Sequence, residues 1–303
     1  MPPDPVVERR LAALGTEIRV ACTGPDAERR AQRALATVRR VEQRLSRFRP
    51  DSELSRLNAD PRPEVPASQL LRDGVRAALW AARQSGGLVD PTLLGALERA
   101  GYTRSMAGAA RRPTCIPHAP TPSRRRALPA PSGAGQDIRV DDDAGTIARP
   151  PGVRIDLGGT GKGYAADLAA DALQGAPRWL VDCGGDLRVG GTGGEQEVHV
   201  AGPDGTRLAR WSLGDAAVAT SAIHARQWAD EHGTVSHHLL DPATGEPAWT
   251  GLAQVTAIAT TVLEAETLAK TALLHGPEGA RGLLRGRGGI LVNDAGRVEE
   301  VAA

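Results

Sequence analysis

Asp156-Leu157-Gly158-Gly159-Thr160-Gly161-Lys162-Gly163-Tyr164-Ala165-Ala166-Asp167 is the stretch from which the rest of the chain can be read. Val153, Arg154, Ile155 and Asp156 form a short apolar-alternating run of strand type. Gly158, Gly159, Gly161 and Gly163 follow, and from Gly163 to Leu173 the spacing is helical. Such glycines let backbone approach a ligand closely. The free amides of a helix N-terminus favour a phosphate. Lys162 adds a cation in a chain whose only lysines are Lys162 and Lys270. Neither standard phosphate loop fits. Gly163 stands where a P-loop has Ser or Thr, Asp156 where its first glycine belongs, and the GxGxxG pattern does not register. The bland alternative is a strand-to-helix turn needing positive φ.

Working outward, 17–22 alternates as a half-buried strand. Residues 27–48 read as an amphipathic helix with Ala34, Val38, Val41 and Leu45 on one stripe. Short helices are predicted from Ser52 and from Asp90-Pro91-Thr92, with a longer one over 68–85 stopped by Gly86-Gly87. Hairpins are predicted at 137–149 and 290–298, strands at 178–182, 198–201, 208–213, 218–221, 238–240 and 254–260, and a helix at 263–275. Helices and strands mix without βαβ alternation, so the expected class is α+β rather than a doubly wound sheet. The stretch 104–136 is rich in Pro, Arg, Ala and Ser with no apolar period, and reads as a disordered insertion. Its arginine pairs, such as Arg111-Arg112, read as a solvated loop.

Composition narrows the function classes. The chain has 303 residues, 41% hydrophobic and 24% charged, an ordinary globular balance. A net charge of +1 argues against nucleic acid as the main partner. Cys22, Cys115 and Cys183 have no CxxC or metal-ligand spacing and fit a reducing compartment. No apolar run is long enough for a transmembrane helix, and the first ten residues lack a signal-peptide core. Cytoplasm is therefore the expected location.

Other stretches carry candidate chemistry. His237 and His238 should face opposite sides of a strand, so at most one joins a given site. Asp241-Pro242-Ala243-Thr244-Gly245 is by itself a good turn. Glu266 and Lys270 have the i,i+4 order favourable for a helical ion pair, whose bland reading is a surface contact. Phe48, the only Phe, offers a ring to a flat heterocycle or to the core.

Taken in order, these segments resemble the ApbE family of FAD:protein FMN transferases. The resemblance rests on Gly15-Thr16, the run from Phe48 to Asn58, Asp90-Pro91-Thr92, and the run from Asp156 to Asp167. It continues through Gly184-Gly185-Asp186, Thr220-Ser221, the run from His238 to Gly245, and the run from Ala265 to Gly276. It covers 8–300 apart from the 104–136 insertion and implies one ApbE-like (T-fold-like) domain of two lobes, with mixed sheets and flanking helices. By similarity, Leu14, Phe48, Leu88, Val89 and Asp90 line the flavin side. Asp156, Lys162, His238 and Leu239 would contact FAD, His238 and Lys162 as the catalytic pair. The reaction implied moves FMN from FAD to a Ser or Thr hydroxyl of a client protein, with Mg2+ on the diphosphate. Two readings stand beside it: an FAD-binding protein without transfer, and an FAD pyrophosphatase. The family's metal site uses a main-chain oxygen near Gly159 and then Asp and Thr, four residues apart. Glu266 and Lys270 occupy those last two positions here. An ammonium does not ligate a metal, so the sequence predicts weakened or absent Mg2+ dependence, with the Lys270 head in the cation's place.

Overall fold

The computed structural model describes residues 5–106, 124–131, 134–229 and 235–303. Arg111-Arg112, Cys115 and most of the Pro/Arg-rich stretch lie outside them. In chain order the elements begin with β1 (Val7–Ala13), β2 (Thr16–Cys22), α1 (Ala27–Leu45), α2 (Glu53–Ala59), β3 (Glu64–Pro66), α3 (Gln69–Gln84) and α4 (Leu94–Arg99). Next come β4 (Arg139–Asp141), β5 (Thr146–Ala148), α5 (Gly161–Asp171), β6 (Trp179–Cys183), β7 (Leu187–Gly190), β8 (Gln196–Ala201), β9 (Arg207–Leu213) and β10 (Ala216–Ala222). The chain closes with β11 (Gln227–Ala229), β12 (Val235–His237), β13 (Leu252–Ala259), α6 (Val262–Leu284), β14 (Gly289–Asn293) and β15 (Val298–Val301). The α+β expectation holds.

Among the described residues the main sheet has eight strands, ordered β1-β2-β6-β7-β10-β13-β14-β15, with antiparallel neighbours throughout. Its side chains alternate between two layers, as a pleat requires. Trp179, Val181 and Cys183 of β6, with Ala217 and Ala219 of β10, face the helices α1, α5 and α6. Leu180 and Val218 face the opposite way, under the β8-β9 ribbon.

A chain with few aromatics fills this core by bringing helices close. Ala27, Ala31 and Ala34 of α1 meet Ala166, Ala169 and Ala170 of α5, and Ala265 of α6 joins them. A fully buried Leu, Ile or Val contributes roughly 1.5–3 kcal/mol and Ala much less, so small side chains work here only at short interhelix distance. The second lobe packs α2 and α3 against the small sheet β3-β5-β4, around Leu54, Leu57, Leu71 and Ile147.

Several sequence expectations are corrected. The β1 strand, absent from the sequence reading, pairs fully with β2. Its charged residues hid it: an edge strand carries charge to resist further pairing. The 153–156 run is not in a sheet. The side chain of Asn58 replaces a neighbouring strand there, donating to the Ile155 carbonyl and accepting its amide, both at 2.7 Å. The 27–48 helix ends at Leu45, which frees Arg47 and Phe48 to turn inward. His238 lies just past β12 rather than inside a strand. The last helix runs on to Leu284 through a break at Gly276-Pro277. In the Pro/Arg-rich stretch, Ala127 is buried beside Leu88, Ala248 and Leu274. Its neighbour Leu128 donates its amide to Asp241 Oδ1 at 3.0 Å.

Candidate functional site

Two adjoining pockets run along the glycine turn. One is lined by Leu88, Val89, Asp90, Gly159, His238, Leu239 and Lys270. The other is lined by Leu14, Glu42, Arg47, Phe48, Met106, Gly161 and Lys162. Tyr102, Asp156, Gly158 and Arg226 border both. The residues expected on the flavin side are thus divided between the two compartments.

Local structure explains how these side chains reach the cleft. Leu14 and Gly15 form the two-residue turn between β1 and β2, with φ of 55° and 73°. A hairpin turn with positive φ at both positions matches strand twist. Glycine accepts it freely and Leu does not. Glu42 of α1 holds the turn by accepting the Leu14 amide at 2.7 Å. Asp90 accepts the Thr92 amide at 2.7 Å, and Pro91 accepts the Asp156 amide at 2.8 Å, so the Asp-Pro-Thr run is tied to the start of the glycine turn.

Ionic contacts organise the floor. Asp156 pairs with Arg47 at 3.1 Å, both largely buried. The Arg47 guanidinium also lies over the rings of Phe48 and Tyr102, 4.1 and 4.6 Å from their centres. Tyr102 stacks on Trp228 at 5.3 Å and meets Phe48 edge-on at 5.4 Å. Burial pushes the Tyr102 hydroxyl above its usual pKa, against the pull of Arg226 and Arg47. With one Phe, two Tyr and five Trp in the chain, three rings here are a local concentration of flat apolar surface.

The chain's two lysines converge on one carboxylate. Lys162 and Lys270 each lie 3.6 Å from Glu266 Oε1. Lys162 also pairs with Asp186, and Lys270 donates to the Gly159 carbonyl. Glu266 Oε2 accepts the Gly163 amide at 2.9 Å. The bland reading of Glu266 and Lys270 as a surface pair is corrected: their side chains are 4% and 12% exposed. Burial pushes Lys162 below the usual lysine pKa, and Glu266 opposes the shift.

His238 places Nδ1 3.3 Å from the Arg226 carbonyl. Burial, reinforced by Arg226, holds its pKa well below the usual value, so the ring is neutral near pH 7. With Nδ1 donating to that carbonyl, Nε2 carries the free lone pair. His237 is packed against Trp249 instead, away from the pocket-lining set.

Other residues of the recurring runs prove to be fasteners. Asp167 accepts the Val262 and Leu263 amides at 2.9 Å each, capping α6. Asp186 accepts the Thr220 amide at 3.1 Å. Thr220 and Thr256 share a cross-strand hydroxyl contact of 2.9 Å. Asp241 closes its turn by accepting the Ala243 amide at 3.1 Å.

The sequence pattern characteristic of the ApbE family matches residues 14–292. The chain belongs to the ApbE family. The FAD:protein FMN transferase of Salmonella typhimurium is 30% identical over 290 residues, covering 91% of this chain and 80% of the relative. That of Treponema pallidum is 30% identical over 304 residues, covering 91% and 81%. Among solved structures, the ApbE protein of Thermotoga maritima aligns with a TM-score of 0.80 at 26% identity, covering 98% of this chain and 97% of its own. The Pseudomonas stutzeri flavinyl transferase ApbE in its apo form aligns with a TM-score of 0.77 at 25% identity, covering 99% and 95%.

Within this ApbE domain, sequence reading missed Arg47, Tyr102, Arg226 and Trp228. Tyr102 had a signal in its rarity and Arg47 in its position beside the lone Phe. Arg226 had none, since arginine abounds throughout the chain. No described helix is long and apolar enough to cross a membrane.

Proposed function

We propose that this chain transfers FMN from FAD to a Ser or Thr hydroxyl of a client protein. The observation that carries the reading is the shared border of the two pockets. Asp156, Gly158, Tyr102 and Arg226 stand where two compartments meet, and a dinucleotide has two ring systems joined by an anionic bridge. Phe48 and Tyr102 offer ring surface on one side, and Leu88, Val89 and Leu239 offer apolar walls on the other. Arg226, which borders both pockets, suits the diphosphate between them.

In the reaction, the client hydroxyl oxygen forms a bond to the FMN-side phosphorus. The bond from that phosphorus to the bridging oxygen breaks, and AMP leaves with the oxygen. The hydroxyl proton passes to a base, for which neutral His238 Nε2 is our candidate. Lys162, held by Asp186 and Glu266, places its amine beside the turn. The product is FMN joined to the client through a phosphoester.

The Mg2+ that the family resemblance implies does not fit the side chains present. The two carboxylates there, Glu266 and Asp186, already face lysine side chains, Glu266 Oε2 also accepts an amide, and the Gly159 carbonyl is engaged by Lys270. Among the described residues no cluster of three His, Cys, Asp or Glu side chains could hold a metal. No step above is routed through one.

The test is to incubate the purified chain with FAD and a Ser/Thr acceptor peptide. Peptide mass and nucleotide chromatography then report the outcome. Peptide gaining FMN with equimolar AMP is expected. AMP with free FMN indicates hydrolysis, and FAD binding without products indicates a carrier. A Phe48→Ala variant should bind FAD about tenfold more weakly, from lost stacking.

A further inference from the structure

The only lysines of an arginine-rich chain meet at one buried oxygen, Glu266 Oε1. They approach it from opposite sides of the glycine turn. Lys162 lines the pocket that holds Phe48, and Lys270 lines the pocket that holds His238. Arginine's broad planar fork suits bidentate surfaces, whereas a lysine ammonium is a compact point charge. The Lys270 head rests on the Gly159 carbonyl, in the glycine turn that leads into α5 and on the wall of the pocket that holds His238. Two ammonium groups face two carboxylates, Glu266 and Asp186, so the cluster is already neutral. A divalent cation inserted there would meet two like charges at close range, which is strongly unfavourable where water is excluded.

We propose that Lys270 is a catalytic residue serving as a built-in cation, bonding the diphosphate oxygens of the dinucleotide so that flavin transfer runs without a divalent metal. This rests on the flavin-transfer reading above. The ammonium contributes what a Lewis acid otherwise would at this place: it offsets charge building on the bridging oxygen as AMP leaves. Because the charge is fixed to α6, it needs no metal loading. The bonds made and broken are those already given.

The experiment uses full-length protein stripped with EDTA and exchanged into metal-free buffer, with residual metal checked by plasma mass spectrometry. FAD affinity is read by fluorescence, and FMN transfer to the acceptor peptide by mass. The expected result is that affinity and rate are unchanged by EDTA and not raised by added Mg2+. Lys270→Met should weaken FAD binding about tenfold or more, the scale of a lost charged hydrogen bond, and slow transfer. Lys270→Arg should retain most of the affinity. Circular dichroism melting of each variant separates binding loss from unfolding. Loss of transfer in EDTA with recovery on Mg2+ overturns the proposal while leaving the transferase reading intact. Unchanged affinity and rate in a folded Lys270→Met protein also overturn it. Failure to bind FAD with or without Mg2+ overturns both.

Discussion

Arg47 Nε lies 3.1 Å from Asp156 Oδ1, with 7% and 12% of the two side chains exposed, at the boundary of both pockets. The pair forms only because α1 stops at Leu45, letting the chain turn Arg47 toward the glycine turn. Removing one partner of a buried pair leaves the other charge uncompensated, which costs more than the pair contributes. Arg47→Met should therefore destabilise the protein by about 3 kcal/mol. Adding Asp156→Asn should restore more than half of that loss. Urea unfolding of the single and double variants measures both, and an additive result would show that the two charges do not interact.

Leu14 sets ligand contact against backbone preference. Its φ of 55° costs a non-glycine residue roughly 1 kcal/mol. Asn tolerates that conformation better. Leu14→Asn relieves the strain but exposes the polar amide where a half-buried Leu packed. These terms are similar in size, so stability should change by less than about 0.5 kcal/mol, against 2–5 kcal/mol for truncating a fully buried Leu. FAD affinity should fall, because Leu14 lines the pocket beside Phe48. An unchanged dissociation constant would remove Leu14 from the binding surface.

What the sequence made legible follows from the range of the interactions. Periodicity is local, so α3, β2, α6 and the β14-β15 hairpin were readable from apolar spacing. Glycine and proline punctuation is also local, and it located the turns at 86–87 and 241–245. Edge strand β1 carries three consecutive charged residues, Glu8, Arg9 and Arg10, that break its apolar alternation, and β7 is four residues long. Long-range pairings left no trace in spacing. Asn58 supplying the hydrogen bonds of a strand to Ile155 depends on a contact across 97 positions. Arg226 immediately precedes β11, and Trp228 of that strand stacks on Tyr102, more than a hundred positions earlier in the chain. For Lys270, two lysines in an arginine-rich chain were conspicuous by identity, while their shared carboxylate oxygen became visible only in three dimensions.

His237 makes stability pH-dependent. It is fully buried and neutral, with burial pushing its pKa down to about 4. The unfolded chain has the ordinary value near 6.5. Below that value the unfolded state binds a proton that the native state does not, so stability falls as pH drops and the loss is complete near pH 4. The full effect is of order 3 kcal/mol. His238 and His275 shift in the same direction, so the contribution must be isolated by difference. His237→Gln keeps an acceptor for the Leu239 amide but cannot titrate. The gap between its unfolding free energy and that of the unmodified protein should narrow from pH 7 to pH 4.5. A gap independent of pH would refute the assignment.

Gly163 decides how closely α5 can approach α6. It lies within α5, where alanine would ordinarily gain about 1 kcal/mol in helix propensity. A Cβ added there would lie 2.8 Å from the Leu263 backbone and 2.9 Å from Glu266 Oε2. Backbone cannot rotate aside, so the helices must separate, and overpacking of this kind costs 1–3 kcal/mol or more. The steric term outweighs propensity. Gly163→Ala should lose about 1–2 kcal/mol net, and FAD affinity should fall with it because Glu266 and Lys270 move with α6. Gly161 provides the control, since a Cβ there meets nothing within 4 Å. Gly161→Ala should leave stability equal or raised. If both variants behaved alike in thermal unfolding, close contact between the helices would not be what requires glycine at 163.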